Sequence, residues 1–110
     1  MAVDLVFDTG QRVRVSGPGL LGRNPQSADP HVVCTAVEDP DMSISKTHLE
    51  VGVDVQGFWV RDRGSTNGSA LLDNSGQPRR LEAGVSVHPK IGDIVTMGHR
   101  RFRVDEARLG

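Results

Sequence analysis

The chain has 110 residues, enough for one domain that buries well over half of its unfolded surface in a single core. A quarter of the residues are charged, yet the formal net charge is −1, so the basic footprint of a duplex nucleic-acid binder is missing. One cysteine, Cys34, excludes an internal disulfide framework and points to a reducing, cytoplasmic setting.

No run approaches the roughly 18 apolar residues of a membrane span. The opening "MAVDLVFDTG" alternates from the start and lacks the basic and apolar regions of a signal peptide. Lys46 and Lys90 are the only lysines. The remaining positive charge is arginine, which suits bidentate grip on an oxyanion. Both ends of the sequence are abrupt, and the expectation is a single domain over residues 1–110 cut from a longer protein.

The elements follow one habit, alternation with period two. Val3, Leu5 and Phe7 share a face opposite Asp4 and Asp8. After the Asp8-Thr9-Gly10 turn, Val13 and Val15 alternate with Arg12 and Arg14. Ser16-Gly17-Pro18-Gly19 reads as a turn, and "GPGLLGR" (17–23) lacks the lysine and helix of a nucleotide-binding P-loop. Further strands are expected at "VVCT" (32–35), "LEVGVDV" (49–55), "GFWVRD" (57–62), "SALLD" (69–73), "VSVH" (85–88), "DIVTMG" (93–98) and "RRFRV" (100–104). Trp59 reads as core and Cys34 as a buried thiol. Turn signals at Asn24-Pro25, Asp39-Pro40, Asn74-Ser75-Gly76, Gly92-Asp93 and Gly98-His99 separate them, and no stretch of ten or more residues carries a helical stripe. Short strands with this punctuation predict an all-β, antiparallel sandwich.

Two connections, 24–31 and 37–47, are long for hairpins. A third, 62–68, carries Gly64-Ser65-Thr66 beyond the Asn67-Gly68 that a two-residue turn needs. These loops offer Arg23, Ser43, Ser45, Lys46, Thr47, Ser65, Thr66 and Asn67: a guanidinium, an ammonium, hydroxyls and an amide. That mixture suits a phosphate, which carries about −1.5 to −2 charge and three strong acceptors. Without a P-loop, a phosphate displayed on another protein fits better than a nucleotide.

"GR" (22–23), "SKTHLEV" (45–51), "DRGSTNGSALL" (62–72) and "IGDIVTMGHRRFRV" (91–104) resemble, in order and spacing, the forkhead-associated (FHA) domain. The resemblance spans nearly the whole chain. It implies a sandwich of about eleven strands whose loops at one end bind phosphothreonine in an extended peptide. By position it implies phosphate contacts for Arg23, Ser45 and Lys46, and a place for Thr66 at both the phosphate and the pocket of the threonine γ-methyl. Asn67 would hold the ligand backbone. Gly22, His48 and Gly68 would serve architecture. Ser43 matches a position that reads the third residue after the phosphothreonine. A serine there, beside acidic "EDPD" (38–41), predicts no aspartate preference and favours an apolar one. "VSVHPK" (85–90) is longer than the family's approach to its Gly-Asp turn.

Plainer readings compete. Ser45, His48 and Asp62 could suggest a hydrolase triad. However, three residues' separation on a strand puts side chains on opposite faces, and no Gly-x-Ser-x-Gly elbow is present. His31-x-x-Cys34 could open a metal site, but His48, His88 and His99 lie far apart and a closed zinc site takes four ligands. The expectation is therefore a non-catalytic binding module without metal or cofactor. Its partner would be a threonine-phosphorylated protein, either a kinase or a kinase substrate. No nucleic acid or direct membrane contact is expected, and monomer is the default. The competing reading is a phosphate-independent scaffold that associates through a sheet face.

Overall fold

Alternation sets the faces of the strands, and two sheets close over the apolar sides. The computed structural model describes residues 1–73 and 75–108. Asn74, expected in a turn, and Leu109 and Gly110 at the C-terminus lie outside the described residues. Ten strands are present among the described residues: β1 (Val3–Phe7), β2 (Arg12–Val15), β3 (Gly19–Gly22), β4 (Val33–Ala36), β5 (Leu49–Asp54), β6 (Gly57–Asp62), β7 (Ser69–Leu72), β8 (Pro78–Arg80), β9 (Ile94–Met97) and β10 (Arg100–Glu106). One sheet runs β2-β1-β10-β9-β7-β8, the other β4-β3-β5-β6. The all-β sandwich is as expected, and ten strands approximate the eleven. One pair departs from antiparallel order: β3 and β4 run parallel, Gly19 opposite Val33 and Gly22 opposite Ala36.

Leu5, Phe7 and Phe102 from the first sheet meet Leu21, Leu49, Val51, Phe58 and Val60 from the second, all buried. The Phe7 and Phe102 rings pack tilted, with centroids 5.1 Å apart. Asp4 does point away from this core, but it is not exposed. Arg14 and Arg12 cover its carboxylate, and the Arg108 amide donates to it at 3.1 Å. The Arg14 hydrogen bond, with the Arg108 amide next, holds the Asp4 carboxyl well below the usual range.

Four local expectations change. Gly19 falls in the expected turn at 16–19 and no strand is expected at 20–22, yet these residues form β3, whose two glycines are what its crowded neighbours require. "VSVH" forms no strand; Val87 alone bridges Val60, their amides and carbonyls pairing at 2.9 Å in each direction. Trp59 is half-buried on the outer face of β6, since Phe58 and Val60 take the inward positions. The Arg61 guanidinium lies 4.9 Å from its ring centroid. Cys34 is exposed rather than a buried thiol, because β4 is an edge strand with little cover on either side.

The pairing register gathers the functional loops. Leu21 of β3 sits opposite Leu49 at the start of β5, and Leu49 opposite Asp62 at the end of β6. In the other sheet Ser69 at the start of β7 faces Met97 at the end of β9. The start of the 23–32 connection and the connections 37–48, 63–68 and 98–99 therefore lie at one end of the sandwich, while residue 32 returns to the other, where Val33 pairs beside Gly19. Among the described residues, no helix is long and apolar enough to cross a membrane.

Candidate functional site

The site is assembled on backbone contacts. Beyond β3, the Arg23 amide donates to the Ser45 carbonyl at 3.0 Å and the Asn24 amide to the Lys46 carbonyl at 3.1 Å. The two loops run so close that a Cβ at Gly22 would stand 2.1 Å from the Lys46 carbonyl oxygen. Only a residue without a side chain fits there. Arg23, Lys46, Thr66 and Asn67 are exposed at this end, and Ser45 is half-buried between them.

The third loop is shaped by Asp62. Its carboxylate accepts from the Ser65 amide at 2.8 Å, the Ser65 hydroxyl at 2.7 Å and the Ser69 hydroxyl at 2.6 Å. Ser65 Oγ in turn accepts from the Gly68 amide at 3.0 Å. Burial alone would raise the Asp62 carboxyl, but the hydrogen bonds from Ser69 and Ser65 outweigh it and hold the group below its ordinary value. Gly68 closes the loop with φ +79°, a conformation that side chains disfavour. Sequence reasoning considered Asp62 only as a triad member. The Asp-x-x-Ser spacing, a side-chain acceptor three residues before a loop amide, is the signal that identifies it as an organiser.

His48 joins the loops from below. It is fully buried; Nδ1 accepts from the Ser45 amide at 3.1 Å, which places the ring proton on Nε2. Nε2 then donates toward the Gly68 carbonyl at 3.0 Å and Ser69 Oγ at 3.1 Å. Burial lowers the imidazole pKa, partly opposed by the Gly68 carbonyl and the Asp62 carboxylate. Residues 45–48 are not a strand, so the alternation argument against a triad does not apply to them. The order of the hydrogen bonds decides instead. Ser45 meets the imidazole through its backbone amide and not its hydroxyl; the neighbouring Ser69 hydroxyl gives its proton to Asp62, and the imidazole donates rather than accepts on that side. This is the reverse of what activates a serine nucleophile.

Ser45 and Asn67 bind the upper loops together. The Thr66 amide donates to Ser45 Oγ at 3.0 Å, and Asn67 Nδ2 donates to the Ser43 carbonyl at 2.7 Å. Ser43 does not face outward as expected. Its side chain is buried, with Oγ donating to Asp39 at 3.1 Å and accepting from the His99 amide at 2.8 Å. The exposed neighbour is Met42, 70% accessible and held at φ +53°. Among the described residues, the salt bridges involve neither Arg23 nor Lys46, whereas Asp41 at the rim is engaged by Arg100 at 3.0 Å and His99 at 3.6 Å. Nor do three His, Cys, Asp or Glu side chains gather there as a metal ion would require. What remains open beside the paired 23–24 and 45–46 segments is two cations without carboxylate partners among the described residues, Arg23 and Lys46, with a hydroxyl and an amide on a braced frame.

The sequence profile of the FHA domain matches residues 19–98. The chain belongs to the FHA domain family. None of the curated proteins compared matches it. Among solved structures, it is similar to one from work on phosphothreonine-dependent FHA domain interactions, with 25% identity, TM-score 0.67, and 99% of this chain and 100% of the other covered. The FHA domain of FhaA, complexed with the intracellular domain of Rv3910, is 27% identical with TM-score 0.64, covering 93% and 98% of the two chains. The FHA domain of the CT664 protein from Chlamydia trachomatis shares the fold at 19% identity, TM-score 0.71, covering 98% and 100%.

Proposed function

We propose that this FHA domain is a phosphothreonine-dependent peptide-binding module with no catalytic step. The observation that carries the reading is the state of Ser45. Its oxygen already accepts from the Thr66 amide, so its own proton is free to donate, next to two cations without carboxylate partners. Arg23 and Lys46 would hold the phosphate by charge-assisted contacts, Ser45 by its hydroxyl, and Thr66 would border both the phosphate and the γ-methyl. Asn67, with one amide hydrogen on Ser43, keeps its carbonyl oxygen and second hydrogen for the ligand backbone. Gly22, His48 and Gly68 would hold the frame. The similar structures from phosphothreonine-dependent interactions and from a complex with an intracellular domain support the same reading.

The partner would be a threonine-phosphorylated protein in the same compartment, a kinase or its substrate, met by a cytoplasmic monomeric domain. Fluorescence anisotropy with one degenerate peptide pool, as phosphothreonine, phosphoserine and unmodified threonine, tests this. Binding is expected for phosphothreonine, weaker for phosphoserine by at least the ~1 kcal/mol of one buried methyl, and absent for threonine. Arg23→Ala should lower affinity about tenfold or more, the consequence of losing a charge-assisted hydrogen bond. Folded protein that ignores all three pools would leave the phosphate-independent scaffold in its place.

A further inference from the structure

Arg80 is a cation at the binding end that none of the four motifs includes. It lies on β8 opposite Ala70 of β7, and its guanidinium folds over the 63–68 loop onto Gly68. A Cβ at Gly68 would stand 2.8 Å from Arg80 Nη2 and 3.1 Å from Cζ, so the bare glycine is what lets the guanidinium lie there. The Gly68 backbone beneath it is fixed, its carbonyl accepting from His48 Nε2 at 3.0 Å and from the Gly98 amide at 3.0 Å.

The adjacent arginine differs. Arg79 lies near Asp73 and helps lower that carboxyl, after the larger hydrogen bonds from Ser75. Arg80 has no carboxylate within salt-bridge distance among the described residues. It forms one wall of a groove lined also by Asp62, Gly64, Ser65, Gly68, Leu81 and Glu82. Ser65 and Gly68 belong to the loop whose Thr66 amide meets Ser45, so groove and phosphate site flank one loop.

Resting on the proposed phosphothreonine reading, we propose that Arg80 is a second anion-binding residue, contacting a carboxylate or a second phosphate on a ligand residue that flanks the phosphothreonine. A peptide crossing the 64–68 loop with its phosphate against Arg23, Ser45 and Lys46 would bring one flank into this groove. A planar guanidinium held on a rigid backbone suits either oxyanion. Glu82 opposes anions there, as does Asp62, whose carboxylate is already taken up by Ser65 and Ser69, so the contact discriminates by position rather than adding general affinity.

The test is anisotropy with phosphothreonine peptides in which each flanking position in turn carries Ala, Asp or phosphoserine, on wild type, Arg80→Ala, Arg80→Lys and Arg79→Ala. At one flanking position wild type should gain about threefold or more from Asp or phosphoserine over Ala, the scale of an exposed charge pair. Arg80→Ala should lose that gain while keeping its affinity for the Ala-flanked peptide. Arg80→Lys should retain part of it, and Arg79→Ala all of it. A gain with phosphoserine alone identifies a second phosphate; a gain with Asp as well identifies an acidic side chain. A preference that survives Arg80→Ala, or no preference at any position, overturns the proposal while leaving the phosphothreonine reading intact. No binding to any phosphothreonine peptide sinks both.

Discussion

The amide of Thr66 donates to the hydroxyl oxygen of Ser45 across 3.0 Å, joining loops whose residues lie 21 apart in sequence. One side chain thus braces the third loop against the second and retains a proton for a ligand. Ser45→Ala removes both roles. The amide it strands is exposed, so water replaces the lost partner and the stability cost should stay near ~1 kcal/mol. Affinity for a phosphothreonine peptide should fall about tenfold, because the donor to a charged group goes and the loop loosens. Anisotropy beside urea denaturation separates the effects; unchanged affinity would remove Ser45 from the phosphate site.

Gly22 makes the opposite prediction, large in stability. A methyl at this position would overlap the Lys46 carbonyl and approach the Ser45 carbonyl at 3.0 Å. Both are backbone atoms in a hydrogen-bonded pairing with Arg23 and Asn24, so neither can move alone. Gly22→Ala should cost about 3 kcal/mol, the upper range for overpacking a tight contact. Peptide binding should fall with it, since the parting loops carry Arg23 and Lys46. A denaturation midpoint close to wild type would show that the pairing yields more easily than its geometry suggests.

Burial makes His48 a source of acid sensitivity. Its folded pKa is lowered, so the unfolded chain takes the proton first. The stability that neutral His48 contributes is complete above about pH 6.5, its unfolded value, and declines as pH falls below that. Asp62 adds a later loss: its folded pKa is lowered too, so its contribution holds above 3.8 and is lost as pH falls further. The urea midpoint should be flat above about pH 7 and drop as pH falls below about 6.5. His48→Gln should be less stable at neutral pH by about 2 kcal/mol, with buried partners left poorly matched, and should lack the first drop. If the variant keeps the same drop, another group produces it.

The sequence disclosed most of this domain where physics acts within a few residues. Alternation located β1, β2, β5, β6, β7, β9 and β10, because one buried face imposes period two. It failed at β3, whose Gly19 and Gly22 serve close backbone approach and imitate a turn. It could not give Trp59 its face, since "GFWV" is apolar throughout and only the register with β5 decides. Ser45, Lys46, Thr66 and Asn67 were legible as a donor-rich set in glycine-flanked loops. The bracing by His48 and Asp62 was not, because it depends on Ser45, Gly68 and Ser69 arriving from other strands. The burial of Ser43 was equally hidden, resting on an amide 56 residues away at His99.

That burial takes the Ser43 side chain off the surface and leaves its neighbour Met42 exposed. With the Ser43 hydroxyl committed to Asp39 and His99, the side chain presented at the second loop is Met42. Its positive φ is rare for a residue with a side chain and is maintained by a loop pinned on both flanks. Asp41 is held by Arg100 at 3.0 Å, and the Ser43 carbonyl accepts from Asn67. An exposed apolar side chain among Glu38, Asp39 and Asp41 should favour an apolar ligand residue at the third position after the phosphothreonine and disfavour aspartate there. A degenerate phosphothreonine library should show Leu, Ile or Met enriched at that position. Met42→Arg should turn the preference toward Asp by up to about fivefold, the range of a solvent-accessible ion pair. Ser43→Ala should leave the preference in place while lowering stability by about 1–2 kcal/mol, as the His99 amide loses its acceptor. Asp enrichment with wild-type protein would mean that a cation, not Met42, meets the ligand at this end of the sandwich.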